Sequence, residues 1–294
     1  MALKQILRGL WLSCLSGLFA GLSSTLFLYA LEFVTGTRKT YPWLIIGLPL
    51  IGFLIGWMYH VYGRDVSRGN NLIIDEIHNP KKTIPVRMAP LIFIGTILTH
   101  LFGGSAGREG TAVQMSAAFS DEIARRFQVS KAERCTLLMT GAGAGFAAAI
   151  GSPIAGLIFG LEVITVGRFK VNAFFQCAIA AAVAYSTTLI LRAPHSVYPS
   201  VAIPNFELQS FVSILPSLLI AGLAFGLSAR GFVKLTHLVE AGLSKISYVP
   251  LKPVFGGLLV LGFYYAVGNL RYAGLGIEVI QSSLIESTSF LDPL

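Results

Sequence analysis

The sequence predicts an all-α integral membrane protein, and three observations carry that reading: scarce charge, long apolar runs, and glycines and prolines that break some of those runs. Of 294 residues, 54% are hydrophobic and 12% charged, with a mean hydropathy of +0.71. A soluble domain carries roughly 25% charged residues, so lipid must be the solvent for much of this surface. The net charge of +8 raises the question of a nucleic-acid partner. The basic residues, however, sit in short connectors: Lys4 and Arg8, Arg64 to Arg87, and Arg125 to Arg134. Membrane proteins distribute Lys and Arg in this way, so membrane lipid is the expected surroundings and nucleic acid is not. Cys14, Cys135 and Cys177 lie in apolar segments without ligand spacing and are expected to be buried, inert thiols. No metal or other cofactor is expected.

A spanning helix needs about 20 mostly apolar residues. Residues 10–33, 43–62, 172–191, 211–235 and 252–268 meet this requirement. The N-terminal run is longer than a signal-peptide core, so it reads as a retained first helix. Between these spans lie shorter apolar pieces. Residues 88–104 form a short helix ending in Gly103-Gly104, and residues 111–127 turn amphipathic at Asp121, Glu122, Arg125 and Arg126. Residues 132–166 form two helices meeting near Gly151-Ser152-Pro153. Broken helices survive at membrane depth only where protein covers them or water fills a cavity.

The chain also repeats itself. Gly17-Leu18-Phe19-Ala20-Gly21-Leu22-Ser23 returns as Gly222-Leu223-Ala224-Phe225-Gly226-Leu227-Ser228, an offset of 205. Leu48 to Phe53 pairs with Leu258 to Phe263 at offset 210, and Gly69-Asn70-Asn71-Leu72 with Gly274-Leu275-Gly276-Ile277 at 205. Repeats of this kind are common in transporters, with the substrate site at the repeat interface. The first unit is expected over residues 1–205 and a second, partial one over 206–294. The counterpart of residues 87–190 then falls beyond Leu294, so the faces of residues 111–166 are expected to lie bare.

Most chemistry gathers in Gly103-Gly104-Ser105-Ala106-Gly107-Arg108-Glu109-Gly110-Thr111. The apolar run from Thr111 starts a helix, and a helix N-terminus offers unpaired donors and about half a positive charge. That makes an anion site without a metal. A carboxylate at membrane depth costs roughly 2.5–3.5 kcal/mol, so Glu109 asks for a reason. One reading is a gate that occupies the anion site and yields or takes a proton when an anion enters. The other is a static pair with Arg108. Asn70 and Asn71 either cap a short helix or donate their amides to an anion. Glu162 is either an interfacial carboxylate or a stop on a proton path. His60 and His100 are expected at helix ends near the headgroups. Gly103-x-Ser105-x-Gly107 formally matches a nucleophile elbow, but that motif follows a strand and here a helix precedes it, so no enzyme is expected.

At these residues the chain resembles the CLC family of chloride channels and anion/proton antiporters. The likeness lies in Gly107-Arg108-Glu109-Gly110 followed by Val113-Gln114, and in Gly141 to Glu162 around Ala147-Ala148-Ala149-Ile150-Gly151-Ser152-Pro153-Ile154-Ala155-Gly156. It implies an inverted repeat with broken half-helices, the first repeat complete and the second partial, in a homodimer with one anion path per subunit. It also implies Glu109 as gating and proton-accepting glutamate, with Gly69, Asn70, Asn71, Leu72, Gly107, Arg108, Gly110 and Thr111 around the anion and Glu162 near a proton path. Asn70 stands where the family usually has serine, Thr111 where chloride-handling members have proline, and Val163 where proton-coupled chloride exchangers have a second acid. These departures resemble the bacterial fluoride-exporting branch and imply a fluoride/proton antiporter of the bacterial inner membrane. A chloride channel or chloride/proton antiporter, and a non-transporting membrane subunit, are the alternatives.

Overall fold

The computed structural model describes residues 2–163, 170–197, 199, 208–268, 270 and 272–285. Among them are eleven α-helices and no strand: α1 (Ala2–Thr40), α2 (Leu48–Tyr62), α3 (Asn70–His78), α4 (Met88–Leu101), α5 (Arg108–Arg126), α6 (Lys131–Ile150), α7 (Pro153–Glu162), α8 (Phe174–Ile190), α9 (Leu208–Ser244), α10 (Lys252–Val267) and α11 (Ile277–Ile285). Five stretches are long and apolar enough to cross a membrane: Ile6–Thr40, Pro42–Tyr62, Val171–Ile190, Ser213–Ser244 and Val249–Val267. The protein is a multi-pass membrane protein.

Helix boundaries follow local chemistry. Ser130 accepts from the Glu133 N–H while Glu133 reaches back to the Ser130 N–H, a capping box that starts α6. Gly151, left-handed at φ +80°, ends it. Ser152 caps α7 by accepting from the Ala155 N–H, and Pro153 fills its first turn, where a missing N–H costs nothing. Pro49 and Pro253 play the same part in α2 and α10.

α6 forms the centre of the molecule, packed by α1, α5, α7 and α8. Its glycines make this possible. A Cβ on Gly143 would lie 2.6 Å from the Gly156 carbonyl oxygen, and one on Gly145 would lie 2.5 Å from that of Ala112. Across the α1–α8 seam, Gly17 meets Ala180 and Gly21 meets Thr187, and Ala20, Ala144, Ala148, Ala180 and Ala184 form one buried cluster. Lipid supplies no hydrophobic drive between helices, so close backbone approach through small residues must hold them. The expectation that residues 111–166 lie bare holds only in part: Gly141, Gly143 and Gly145 are buried against protein, whereas Ile150, Ile154 and Ile158 are exposed, and residues 164–166 lie outside the described residues. The uncovered element is α9, whose most apolar eighteen-residue stretch contains no buried residue.

Away from the apolar core, Arg134 at the start of α6 ties three elements together. It donates to Asp121 of α5 through Nε (2.5 Å) and Nη2 (2.8 Å), to Glu76 of α3 at 3.1 Å, and to the Lys82 carbonyl at 2.7 Å. Asp121 also accepts from the Ile84 N–H, and Glu76 from those of Lys81 and Lys82. Burial works against the Arg134 cation, but the hydrogen bonds and charges of Asp121 and Glu76 outweigh it and raise its pKa. The network fixes α3 and the 79–87 connector against α5.

The helices α1, α2 and α3 have 39, 15 and 9 residues; α9, α10 and α11 have 37, 16 and 9. α2 and α10 pack reciprocally: Gly52 lies under Pro253, and Gly257 under Pro49. α10 starts 204 residues after α2, not 210. Gly276, at φ +66°, stands directly before α11 as Gly69, at φ +56°, stands before α3. The expected partner Gly274 is two residues early. Gly/Leu-rich text matches itself in several registers, and backbone geometry chooses among them. Of the thiols, only Cys177 is buried; Cys14 and Cys135 are half-buried.

Candidate anion site

The site is built on the turn between α4 and α5. Gly103 takes φ +81°, which reverses the chain after α4. The turn is held at each corner. His100 Nε2 donates to the Ala106 carbonyl at 2.9 Å. Thr111 Oγ1 donates to the Gly107 carbonyl at 3.1 Å and lies 2.8 Å from Thr96 Oγ1. The Gly103 carbonyl accepts from Tyr264 Oη at 3.1 Å and from the Gly274 N–H at 3.3 Å. His100 sits in the last turn of α4, as expected, but is 1% exposed and braces this turn from within the protein. Its ring faces Ala106, and the strand an elbow would need is absent among the described residues. His60 does sit at a helix end, in the last turn of α2 against Arg64.

α5 begins at Arg108, three residues earlier than the apolar pattern indicates, which places Glu109 inside its first turn. The N-cap is Gly107, with no side chain to bond the first amides. α3 likewise starts after Gly69 without a side-chain cap. The neighbouring broken helices α6 and α7 are closed by Ser130 and Ser152. Asn70 and Asn71 occupy the first two helical positions, so neither caps α3. The Asn71 and Leu72 amides already donate to the Arg68 and Gly69 carbonyls, at 3.2 and 3.1 Å.

The two glycine-capped ends meet. A Cβ on Gly110 would lie 3.3 Å from Asn70 Nδ2, and one on Gly69 would lie 3.3 Å from Gln114 Nε2. Each helix therefore lays a side-chain amide against the glycine of the other; a side chain at Gly69, at φ +56°, would be strained, and one at Gly110 would push the Asn70 carboxamide back by a few tenths of an ångström. Gln114, which the sequence offers only as part of the family likeness, lies one turn from Gly110 with its carboxamide against Gly69. The Thr111 hydroxyl is engaged with Gly107 and Thr96 and shapes the turn.

Glu109 is paired with Arg108, Nε to Oε1 at 3.0 Å, with side-chain exposures of 39% and 11%. Arg108 Nη1 also donates to Ser196 Oγ at 2.8 Å. Part of the static alternative is thus seen directly. Glu162 ends α7, half-buried and partnered. Its helix packs on α6 and α8, so it is not gathered with the α3–α5 residues.

Two helices whose glycine-capped N-termini meet beside the Arg108–Glu109 pair, in a multi-pass membrane protein, form an arrangement that can hold an anion. The chain belongs to the voltage gated chloride channel family, whose model matches residues 51–293. It is 42% identical to the chloride/fluoride channel protein of Pseudomonas syringae pv. tomato over 288 residues, 96% of this chain and 63% of that protein. The fold matches the crystal structure of a CLC-type fluoride/proton antiporter with a TM-score of 0.84 and 31% identity, over 96% of this chain and 70% of the other. A slow cyanobacterial Cl−/H+ antiporter shares the fold with a TM-score of 0.78 and 19% identity, over 96% and 68%. The chain thus spans less than two thirds of the Pseudomonas relative.

Proposed function

We propose that this chain carries the anion path of a CLC-type fluoride/proton antiporter in a bacterial inner membrane, as part of a homodimer. The observation that carries the reading is the meeting of the α3 and α5 N-termini, both capped by glycine, next to the Arg108–Glu109 pair. The uncapped start of α5 can bind an anion without a metal; at α3, where the Asn71 and Leu72 amides are already engaged, the Asn70 carboxamide is the donor, and Gln114 adds a second compact neutral donor that suits a small, strongly hydrated anion. Glu109 takes the anion's place when ionised and carries a proton when displaced. Glu162 serves the proton from the other end. Residues 1–205 and 206–294 form the two related units, meeting where α2 crosses α10.

The relatives support this reading by name, one as a fluoride/proton antiporter and one as a chloride/fluoride channel protein. The second name keeps uncoupled conductance as the competing reading. Efflux of fluoride and of chloride from liposomes containing the purified protein separates them. Fluoride is expected to leave faster, with protons moving inward. Chloride leaving tenfold faster than fluoride, about 1.4 kcal/mol in its favour, overturns the fluoride assignment.

A further inference from the structure

A cleft of about 460 Å³ opens beside Arg108, walled by the end of α1, residues 194–197 and the first turn of α11. Arg38, Lys39 and Arg108 line it, with the carboxylates Glu32 and Glu278. Lys39 is paired with Glu278, which cancels one charge of each sign. Arg108 bridges Glu109 and Ser196. His195 is turned away, its Nε2 on the Ala148 carbonyl at 2.8 Å. Arg38 remains. Its Nε and Nη1 are buried without a hydrogen-bond partner among the described residues, and the guanidinium lies against Gly274, where a Cβ would come within 2.9 Å of Nη1. Buried donors without acceptors are costly, and charged ones more so. A guanidinium is always ionised and has no acceptor of its own; Glu278 and Tyr264 act on its charge but neither accepts from Nε or Nη1, so an acceptor entering the cleft would satisfy these two donors.

We propose that this cleft binds a small inorganic anion between Arg38 and Arg108, ahead of the site at the α3–α5 N-termini. The inference rests on the function proposed above and adds a residue, Arg38, and a coupling. Arg108 is shared between Glu109 and the cleft, so an anion that accepts from Arg108 loosens the hold on Glu109. Occupation of the cleft and release of the carboxylate become one event. Glu32, a carboxylate on the rim, opposes entry.

Titration calorimetry of the purified protein in detergent with sodium fluoride, and separately with sodium bromide, tests this without any transport. Arg38→Gln is expected to weaken binding at least tenfold in one or both titrations, and Arg38→Lys to restore part of it. Glu32→Gln, which leaves the buried groups in place, is expected to tighten binding threefold or more. Unchanged affinities in Arg38→Gln overturn the proposal; should that variant fail to fold, unchanged or weaker binding in Glu32→Gln does so. Arg38-dependent binding in a protein that moves no anion would contradict the proposed function while supporting the cleft.

Discussion

Replacing Arg134 by methionine tests whether a charged network outside the apolar core holds the α3 end of the site. Asp121 and Glu76 have side chains only 1% and 7% exposed. Without the guanidinium, Asp121 keeps one donor, the Ile84 N–H, and Glu76 keeps the Lys81 and Lys82 N–H groups. Two buried carboxylates then face each other without a cation. Removing one partner of a buried ion pair costs about 3–5 kcal/mol. At roughly 2–4 °C per kcal/mol for a chain of this order, the melting temperature in detergent should fall by about 6–20 °C. Asp121→Asn added to Arg134→Met removes one uncompensated charge but leaves an acceptor for Ile84, so the double variant should be more stable than the single. Thermal unfolding followed by circular dichroism measures both. A loss under about 1 kcal/mol, or a double variant no better than Arg134→Met, would refute the argument that these charges depend on one another.

Two further outcomes follow from local geometry. Gly143→Ala places a methyl group 2.6 Å from the Gly156 carbonyl oxygen and 3.0 Å from Gly160 Cα, overpacking expected to cost about 1–3 kcal/mol; a melting temperature equal to wild type would contradict the tight α6–α7 contact. The Ser130 backbone and side-chain hydrogen bonds lower the Glu133 pKa, so its contribution to the α6 start is complete above the unfolded value of about 4.3 and is lost as pH falls through the folded value. Amides 131–135 should therefore lose hydrogen-exchange protection as pH is lowered past the ordinary carboxylate range in wild type but not in Glu133→Gln, and equal loss in both proteins would remove Glu133 from the account.

Much of this fold is legible in the sequence because its signals are local. Apolar runs give the five spans, Gly151-Ser152-Pro153 marks the α6–α7 break, and the polar residues before Ile73 announce α3, which starts earlier than the apolar pattern, at Asn70. The glycines of 103–107 likewise point to the turn before α5. What escapes is pairing across distance. Nothing around Asp121 says that its partner is Arg134 with Glu76 behind it, and nothing around Tyr264 says that its hydroxyl reaches the Gly103 carbonyl 161 residues away. His100 reads as an interfacial residue because an imidazole in an apolar helix gives no hint of a buried carbonyl six residues on. The covered face of α6 escapes for a similar reason: α1 and α8 bury it, and their glycine and alanine stripes do not name their partner.

The central claim is that Glu109 carries both the gate and the proton. Glu109→Gln keeps the shape of the side chain and its place in the first turn of α5 but cannot take up or release a proton. Purified wild-type and Glu109→Gln proteins in liposomes, with a fluoride electrode outside and a pH-sensitive dye inside, measure both fluxes at once. The account predicts inward proton movement tied to fluoride efflux in wild type, and no fluoride-driven proton movement in Glu109→Gln. Proton movement that persists in Glu109→Gln at the wild-type ratio to fluoride would contradict it.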